Sequence, residues 1–227
     1  GLIAALPDLQ MVAVAATGED GALLVSEPGT GAALRLGAST DSPAWCPDGR
    51  ALVYLSPREK PEIMVASPDG GAPVSIVRAA DVPAPGGTSP IASWLSWPRV
   101  SPGGKELAFF YDGNGPANSG LFVARLRTGE SLSTAAGAGS PPEMEFALVA
   151  SGSDPSGGLI YSRYTWDPHG TRLAWLNNAG VWAATPDAGG ARWSTSNLAR
   201  FEVLPVNAGN LQWESSGRYL LWQEGPS

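Results

Sequence analysis

Histidine and cysteine each occur once in the 227 residues, as His169 and Cys46. One cysteine allows no internal disulfide. Two such side chains cannot build a zinc site, which needs three or four nitrogen and sulfur ligands. Charge is also scarce: charged residues are 15% of the chain, against about 25% in ordinary soluble domains. The few charges lean acidic, with Lys+Arg 14 against Asp+Glu 21 and a net charge of -7. Nucleic-acid binding needs clustered cations to neutralise phosphates, so no nucleic-acid partner is expected. An anionic membrane surface is disfavoured for the same reason. Apolar runs stop at about six residues, such as Met11 to Ala16, far short of the roughly 20 needed to cross a bilayer. No membrane insertion is expected of this chain. The first residue is Gly1, and neither a basic n-region nor a cleavage site is seen, so the reading takes an export signal or anchor as removed.

Several catalytic signatures are missing as well. There is no G-x-S-x-G elbow; the nearest strings, around Ser131 and Ser153, lack the second glycine. No Walker or dinucleotide-binding motif occurs. His169 sits inside a turn, a poor place for a histidine that must be held by a carboxylate beside an activated serine. Cys46 follows Trp45 in a strand-like context and reads as a small buried hydrophobe.

Abundant instead are glycine (29), proline (21) and tryptophan (9), with 43% hydrophobic residues. Glycine and proline favour turns, and the apolar content argues against disorder. The turns recur. Trp45-Cys46-Pro47-Asp48-Gly49-Arg50 precedes the apolar run Ala51 to Leu55. Val100-Ser101-Pro102-Gly103-Gly104-Lys105 precedes Glu106 to Tyr111. Trp166-Asp167-Pro168-His169-Gly170-Thr171 precedes Arg172 to Leu176, and Trp213-Glu214-Ser215-Ser216-Gly217-Arg218 precedes Tyr219 to Trp222. A degenerate copy, Leu6-Pro7-Asp8, precedes Met11 to Ala16. Proline is preset for the second position of a type I turn, and glycine takes the left-handed position that closes the hairpin. Each unit is thus a strand, a tight turn and a strand.

A second hairpin follows each of the first four units. Its leading strands are Ala22 to Ser26, Ile63 to Ser67, Leu121 to Arg125 and Val181 to Thr185, each ending in a glycine-containing turn such as Pro68-Asp69-Gly70-Gly71. Together the two hairpins make a four-stranded meander of about 40 to 60 residues, the size of one propeller blade. The fold expected is all-β: a β-propeller of four-stranded antiparallel blades, five in number with four as the alternative. The last blade is either incomplete or closed by the N-terminal segment. The chain reads as a single domain over residues 1–227. Trp45, Trp166 and Trp213 are expected to pack between blades.

The W-x-P-D-G turn followed by a strand, a loop and a P-D-G-G hairpin resembles the TolB-type β-propeller repeat, also found in the propellers of prolyl-oligopeptidase-type peptidases. The resemblance runs from about Pro7 to Gln223. It implies an extracytoplasmic bacterial module, periplasmic or secreted, that binds proteins, and the missing catalytic motifs make the chain read as non-enzymatic. No cofactor and no metal are expected.

Three connections between blades are long: 78–97, 134–163 and 195–210. Binding residues concentrate on loops held by a rigid scaffold, and Trp, Tyr and Arg dominate contact hot spots. The candidate binding residues are therefore Trp94, Trp97 and Arg99 in the first connection, and Glu143, Glu145, Arg163 and Tyr164 at the second. A protein partner is the expected ligand. Two rival readings remain. An open last blade would expose a sheet edge through which copies could self-assemble into a surface or filament. A glycosidase would need two facing carboxylates, with Asp41, Glu143, Glu145 and Asp154 available on loops. The oxygen-rich stretches Asp112-Gly113-Asn114-Gly115 and Ser151 to Gly158 lack the acidic content of calcium loops and read as turns.

Overall fold

The repeated turns fold alike because their backbone chemistry is alike. In the computed structural model, which describes residues 2–5, 12–15, 22–26, 33–38, 41–56, 62–87, 94–153, 164–177, 180–200 and 209–223, each full turn closes with the same two bonds. Cys46 N donates to Ala51 O and Gly49 N to Cys46 O. The pairs recur as Ser101–Glu106 with Gly104–Ser101, Asp167–Arg172 with Gly170–Asp167, and Glu214–Tyr219 with Gly217–Glu214, all at 2.8–3.0 Å. Gly49, Gly104, Gly170 and Gly217 have φ between 69° and 71°, the left-handed region that only glycine enters freely.

These turns and the second hairpins organise eighteen strands. The first sheet holds β1 (Leu2–Ala5), β2 (Val12–Ala15), β3 (Ala22–Ser26) and β4 (Ala33–Ala38). The second holds β5 (Asp41–Trp45), β6 (Leu52–Leu55), β7 (Glu62–Ala66) and β8 (Val74–Arg78). The third holds β9 (Trp94–Val100), β10 (Glu106–Asp112), β11 (Gly120–Leu126) and β12 (Met144–Ser151). The fourth holds β13 (Tyr164–Trp166), β14 (Leu173–Asn177), β15 (Gly180–Pro186) and β16 (Trp193–Arg200). Among the described residues the last sheet has two strands, β17 (Gly209–Trp213) and β18 (Leu220–Gln223). Every sheet is ordered as the chain runs, and every described pairing is antiparallel, as short hairpin connections require.

Second strands are the most buried. All four residues of β6 and all five of β14 are buried, as are Leu107 to Tyr111 of β10. Burial on both faces explains why these strands are apolar at successive positions rather than alternating.

The chain divides into two compact units. One comprises Gly1–Val82, Ser93–Phe109 and Ala124–Glu145, the other Pro83–Ala92, Phe110–Val123 and Phe146–Ser227. In the first unit, β5 packs on β1 and β2, and β9 packs on β5, β6 and β7. Ala13, Leu23, Val25 and Leu36 meet Leu52, Tyr54 and Ala66, with Trp45 and Met64 at the margin. In the second unit, β17 packs on β13 and β14, and Trp213, Leu211 and Leu220 cover Ala174 and Ala183. Trp45 and Trp213 thus lie between successive sheets, and Trp166 meets Trp193 of its own sheet edge-on at 6.0 Å.

Strands run further than the apolar pattern indicates. The connections read as loops over 78–97, 134–163 and 195–210 contain the first four residues of β9, all of β12 and most of β16. Asp41 likewise stands on β5. Serine, proline, arginine and glutamate interrupt these strands and hide them from a periodicity argument.

Candidate binding surface

Strand β9 reads Trp-Leu-Ser-Trp-Pro-Arg-Val, and its inward residues are Leu95 and Pro98, three apart instead of two. The extra residue is absorbed at Trp97, whose φ is 51°. A bulky side chain in the left-handed region is an outlier that costs on the order of 1–3 kcal/mol. The kink resets the alternation, as a bulge does. Trp94 then stands 43% exposed, Trp97 is half-buried and Arg99 is exposed. The Arg99 guanidinium folds back to 3.5 Å from Pro98 O. The three side chains therefore occupy one short strand at the edge of the third sheet.

The other candidate residues have different fates. Glu145, on β12, pairs with Arg125 at 3.0 Å, and Glu143, just before it, pairs with Arg127 at 3.3 Å. Arg125 also faces Glu106, whose carboxyl is pushed up by burial and held down in part by that guanidinium. Strands β9 and β12 are opposite edges of one sheet, about 14 Å apart at the usual strand spacing. The structure thus does not gather Glu143 and Glu145 with Trp94, Trp97 and Arg99. Tyr164 opens β13 and is 4% exposed, so its ring is part of the core. Arg163 and Asp154 lie outside the described residues.

Of the carboxylates considered for glycoside chemistry, two have described side chains. Glu143 and Glu145 are each ion-paired with an arginine, Arg127 and Arg125 respectively. The Asp112 stretch is a self-contained knot. Asp112 Oδ1 accepts from Asn114 N at 3.0 Å and from Ser119 Oγ at 2.9 Å, and Ser119 Oγ accepts from Gly113 N at 3.1 Å. His169 Nε2 lies 3.3 Å from Ser216 O in the next turn. Burial, with a contribution from Asp48, pushes the Cys46 thiol up to about 12, so its thiolate is not available.

Side chains in the turns do what the turn motif alone does not announce. In three of the four full turns the residue after tryptophan, or after Val100, collects the turn's amides, whereas in the first Cys46 stands there and Asp48 Oδ1 accepts from Arg50 N at 3.1 Å. Ser101 Oγ accepts from Glu106 N. Fully buried Asp167 accepts from Thr171 N, Thr171 Oγ1, Arg172 N and Arg172 Nε. Glu214 accepts from Ser216 N and Arg218 N, and from the Ser216 hydroxyl. Successive turns also stack. A Cβ on Gly104 would stand 3.7 Å from Pro47 Cδ, and one on Gly217 would stand 3.5 Å from Pro168 Cδ. Ser133 Oγ reaches back to Asp48 Oδ2 at 2.6 Å, and Arg172 Nη2 reaches forward to Gly217 O.

Antiparallel four-stranded meanders, packed face to face through stacked turns, are matched along nearly the whole chain by solved structures. The β-propeller domain of Cps50 (Swd1) from Myceliophteria thermophila superposes with a TM-score of 0.62 at 15% identity, covering 98% of this chain and 61% of that one. This is a β-propeller fold. TolB from Acinetobacter baumannii aligns with a TM-score of 0.56 at 15% identity over 97% of this propeller and 53% of its own length. A structure from a study of two prolyl endopeptidases aligns at 0.59 and 15% identity, over 93% of this chain and 29% of that one. The propeller thus spans about half to six-tenths of the first two and under a third of the last. Its sequence matches no protein-family profile and no curated protein. Identity this low carries the fold alone, and the neighbours include both a peptidase and proteins not described as enzymes. The particular W-x-P-D-G repeat family is not established by sequence comparison.

Proposed function

We propose that residues 1–227 form one non-enzymatic β-propeller domain that works outside the cytoplasm as a protein-interaction scaffold, with Trp94, Trp97 and Arg99 as its contact surface. The observation that carries this reading is Trp97, held at φ 51° between the outward Trp94 and Arg99. Strain of this kind concentrates where side chains are aimed at a ligand, and exposed tryptophan and arginine supply most of the energy at protein contacts. The turn resemblance supports the extracytoplasmic placement.

The test is capture of a partner from a cell-envelope extract by the immobilised chain. Trp94→Ala and Arg99→Ala should each weaken capture at least tenfold while leaving the melting temperature within about 2 °C. Undiminished capture in both variants, or a large drop in melting temperature, would show that these residues serve packing instead. A panel of aryl glycosides and peptide esters should show no turnover.

A further inference from the structure

Strands β11 and β12 are joined by residues 127–143, whereas β7 and β8 are joined by 67–73 and β15 and β16 by 187–192. The longer connection is closed at its neck. Arg127 N donates to Glu143 O at 3.0 Å, and Arg127 Nε lies 3.3 Å from Glu143 Oε2. Beyond the neck the chain lies across two repeat turns. Leu132 N donates to Gly104 O at 2.8 Å, Ser131 Oγ donates to the same carbonyl at 3.2 Å, and Ser133 Oγ donates to Asp48 Oδ2 at 2.6 Å. The short helical turn Leu132–Ala135 packs on β7, with Leu132 and Ala135 buried.

The turns 167–172 and 214–219 stack in the same way but are joined differently. Gly217 stands where Gly104 does, and its carbonyl accepts from Arg172 Nη2. Arg172 is braced by the buried Asp167. In the earlier pair of turns these two positions hold Ala51 and Cys46. A methyl and a thiol cannot present a charged fork to the neighbouring turn. The segment after β11 supplies donors to that carbonyl instead.

The two joints differ in how firmly they are held. Arg172 and Asp167 flank β14 itself, whereas residues 130–142 belong to no strand. Leu132 and Ala135 are the buried residues of the helical turn. Gly129 and Gly137, at φ 72° and 81°, stand on either side of it with open space around their would-be Cβ atoms, so the backbone can swing there without a clash. Segments with few buried apolar contacts open locally, well before the sheets they cover. The closed neck lets this one lift without unpairing β11 from β12.

We propose that residues 130–142 are a hinged strap, fastened by Leu132 and Ser133, that clasps the turn of the second sheet to that of the third and opens as a unit while both sheets stay folded. Opening frees Gly104 O and the Asp48 carboxylate and loosens the turn that joins β9 to β10. The joint at Gly217 has no such release. This device is independent of Trp94, Trp97 and Arg99 as a contact surface.

Hydrogen exchange of the full chain, resolved by amide, tests the strap. The Leu132, Thr134 and Ala136 amides should exchange together, about a hundredfold or more faster than those of β11, at a rate that low urea does not change. Leu132→Ala and Ser133→Ala should each speed them further, the first about tenfold or more, and leave β11 unaltered. In a chain with residues 130–142 replaced by Asp-Gly, the Gly49 and Gly104 amides should exchange faster while those of Gly170 and Gly217 do not. The wild-type measurement stands if that variant fails to fold. Strap amides that exchange with the rate and urea dependence of β11 would show a fixed part of the core and overturn the proposal. So would fast exchange that Leu132→Ala leaves unchanged, which would mean that nothing is fastened.

Discussion

The guanidinium of Arg172 lies over the indole of Trp213, 4.5 Å from the ring centroid, and joins one repeat turn to the next. Arg172 is held there by Asp167, which is 0% exposed and accepts its Nε at 3.4 Å. The same guanidinium donates Nη2 to Gly217 O. A buried carboxylate, a cation and an aromatic ring thus fix the register between β14 and β17 through three different interactions.

Removing one partner of a buried charge cluster leaves the other uncompensated. Asp167→Ala is expected to destabilise the chain by about 3 kcal/mol, because four donors lose their acceptor. Arg172→Lys keeps the charge but loses the planar stack and the fork, at about 1–2 kcal/mol. Urea unfolding with the double variant measures the coupling. Effects that simply add would mean that the two side chains act separately.

Glycine substitutions separate two causes of strain. Gly129 has φ 72° with open space around its would-be Cβ, whereas a Cβ on Gly152 would stand 2.6 Å from Pro116 O. Gly129→Ala is expected to cost about 1 kcal/mol from backbone conformation alone. Gly152→Ala displaces a backbone carbonyl and should cost about 2–3 kcal/mol, in the range of overpacking. Denaturation midpoints check the order, and a larger loss at Gly129 would contradict the packing described.

Two carboxylates give opposite pH signatures. The Glu106 carboxyl is raised above its ordinary 4.5 by burial. Its neutral form suits the fold, so its contribution is full below pH 4.5 and is lost as pH rises through the folded value. Glu106→Gln should therefore raise the melting temperature at pH 7 and leave it unchanged at pH 4. Glu214 is lowered to about 2 by the Ser216 hydroxyl and the amides of Ser216, Arg218 and Tyr219. Its contribution is present above pH 4.5 and is lost as pH falls toward 2. Glu214→Gln should lower the melting temperature at pH 7 and converge with the wild type at pH 2.

Cys46 is 0% exposed with its thiol raised to about 12. Ellman's reagent at pH 8 should leave it unmodified in the native state and titrate one thiol in 6 M guanidinium. Rapid native labelling would place the Trp45–Pro47 turn outside the core.

Much of the architecture was legible because a turn is a local event. Proline, aspartate and glycine set φ where they stand, and most of the strands fall beside turns or on apolar runs visible in the chain. Less legible were β9, β12 and β16. Their Ser-Trp-Pro-Arg, Met-Glu-Phe and Ser-Thr-Ser-Asn stretches carry no clean period, so Trp94, Glu145 and their neighbours read as loop residues. The amide-collecting roles of Ser101, Asp167 and Glu214 had a signal, since short or acidic side chains at that turn position favour local bonds to backbone amides. That signal is weak without knowing which amides are free.

The amino-acid order alone fixed where the chain turns and which segments are extended, since those depend on neighbours a few residues apart. Packing decided the rest. Trp97 takes a left-handed conformation, Tyr164 is buried, Glu143 and Glu145 face arginines on the adjacent strand, and Leu221 is left uncovered. Each outcome depends on residues distant in sequence that only sheet pairing and stacking bring together, and no local preference encodes them.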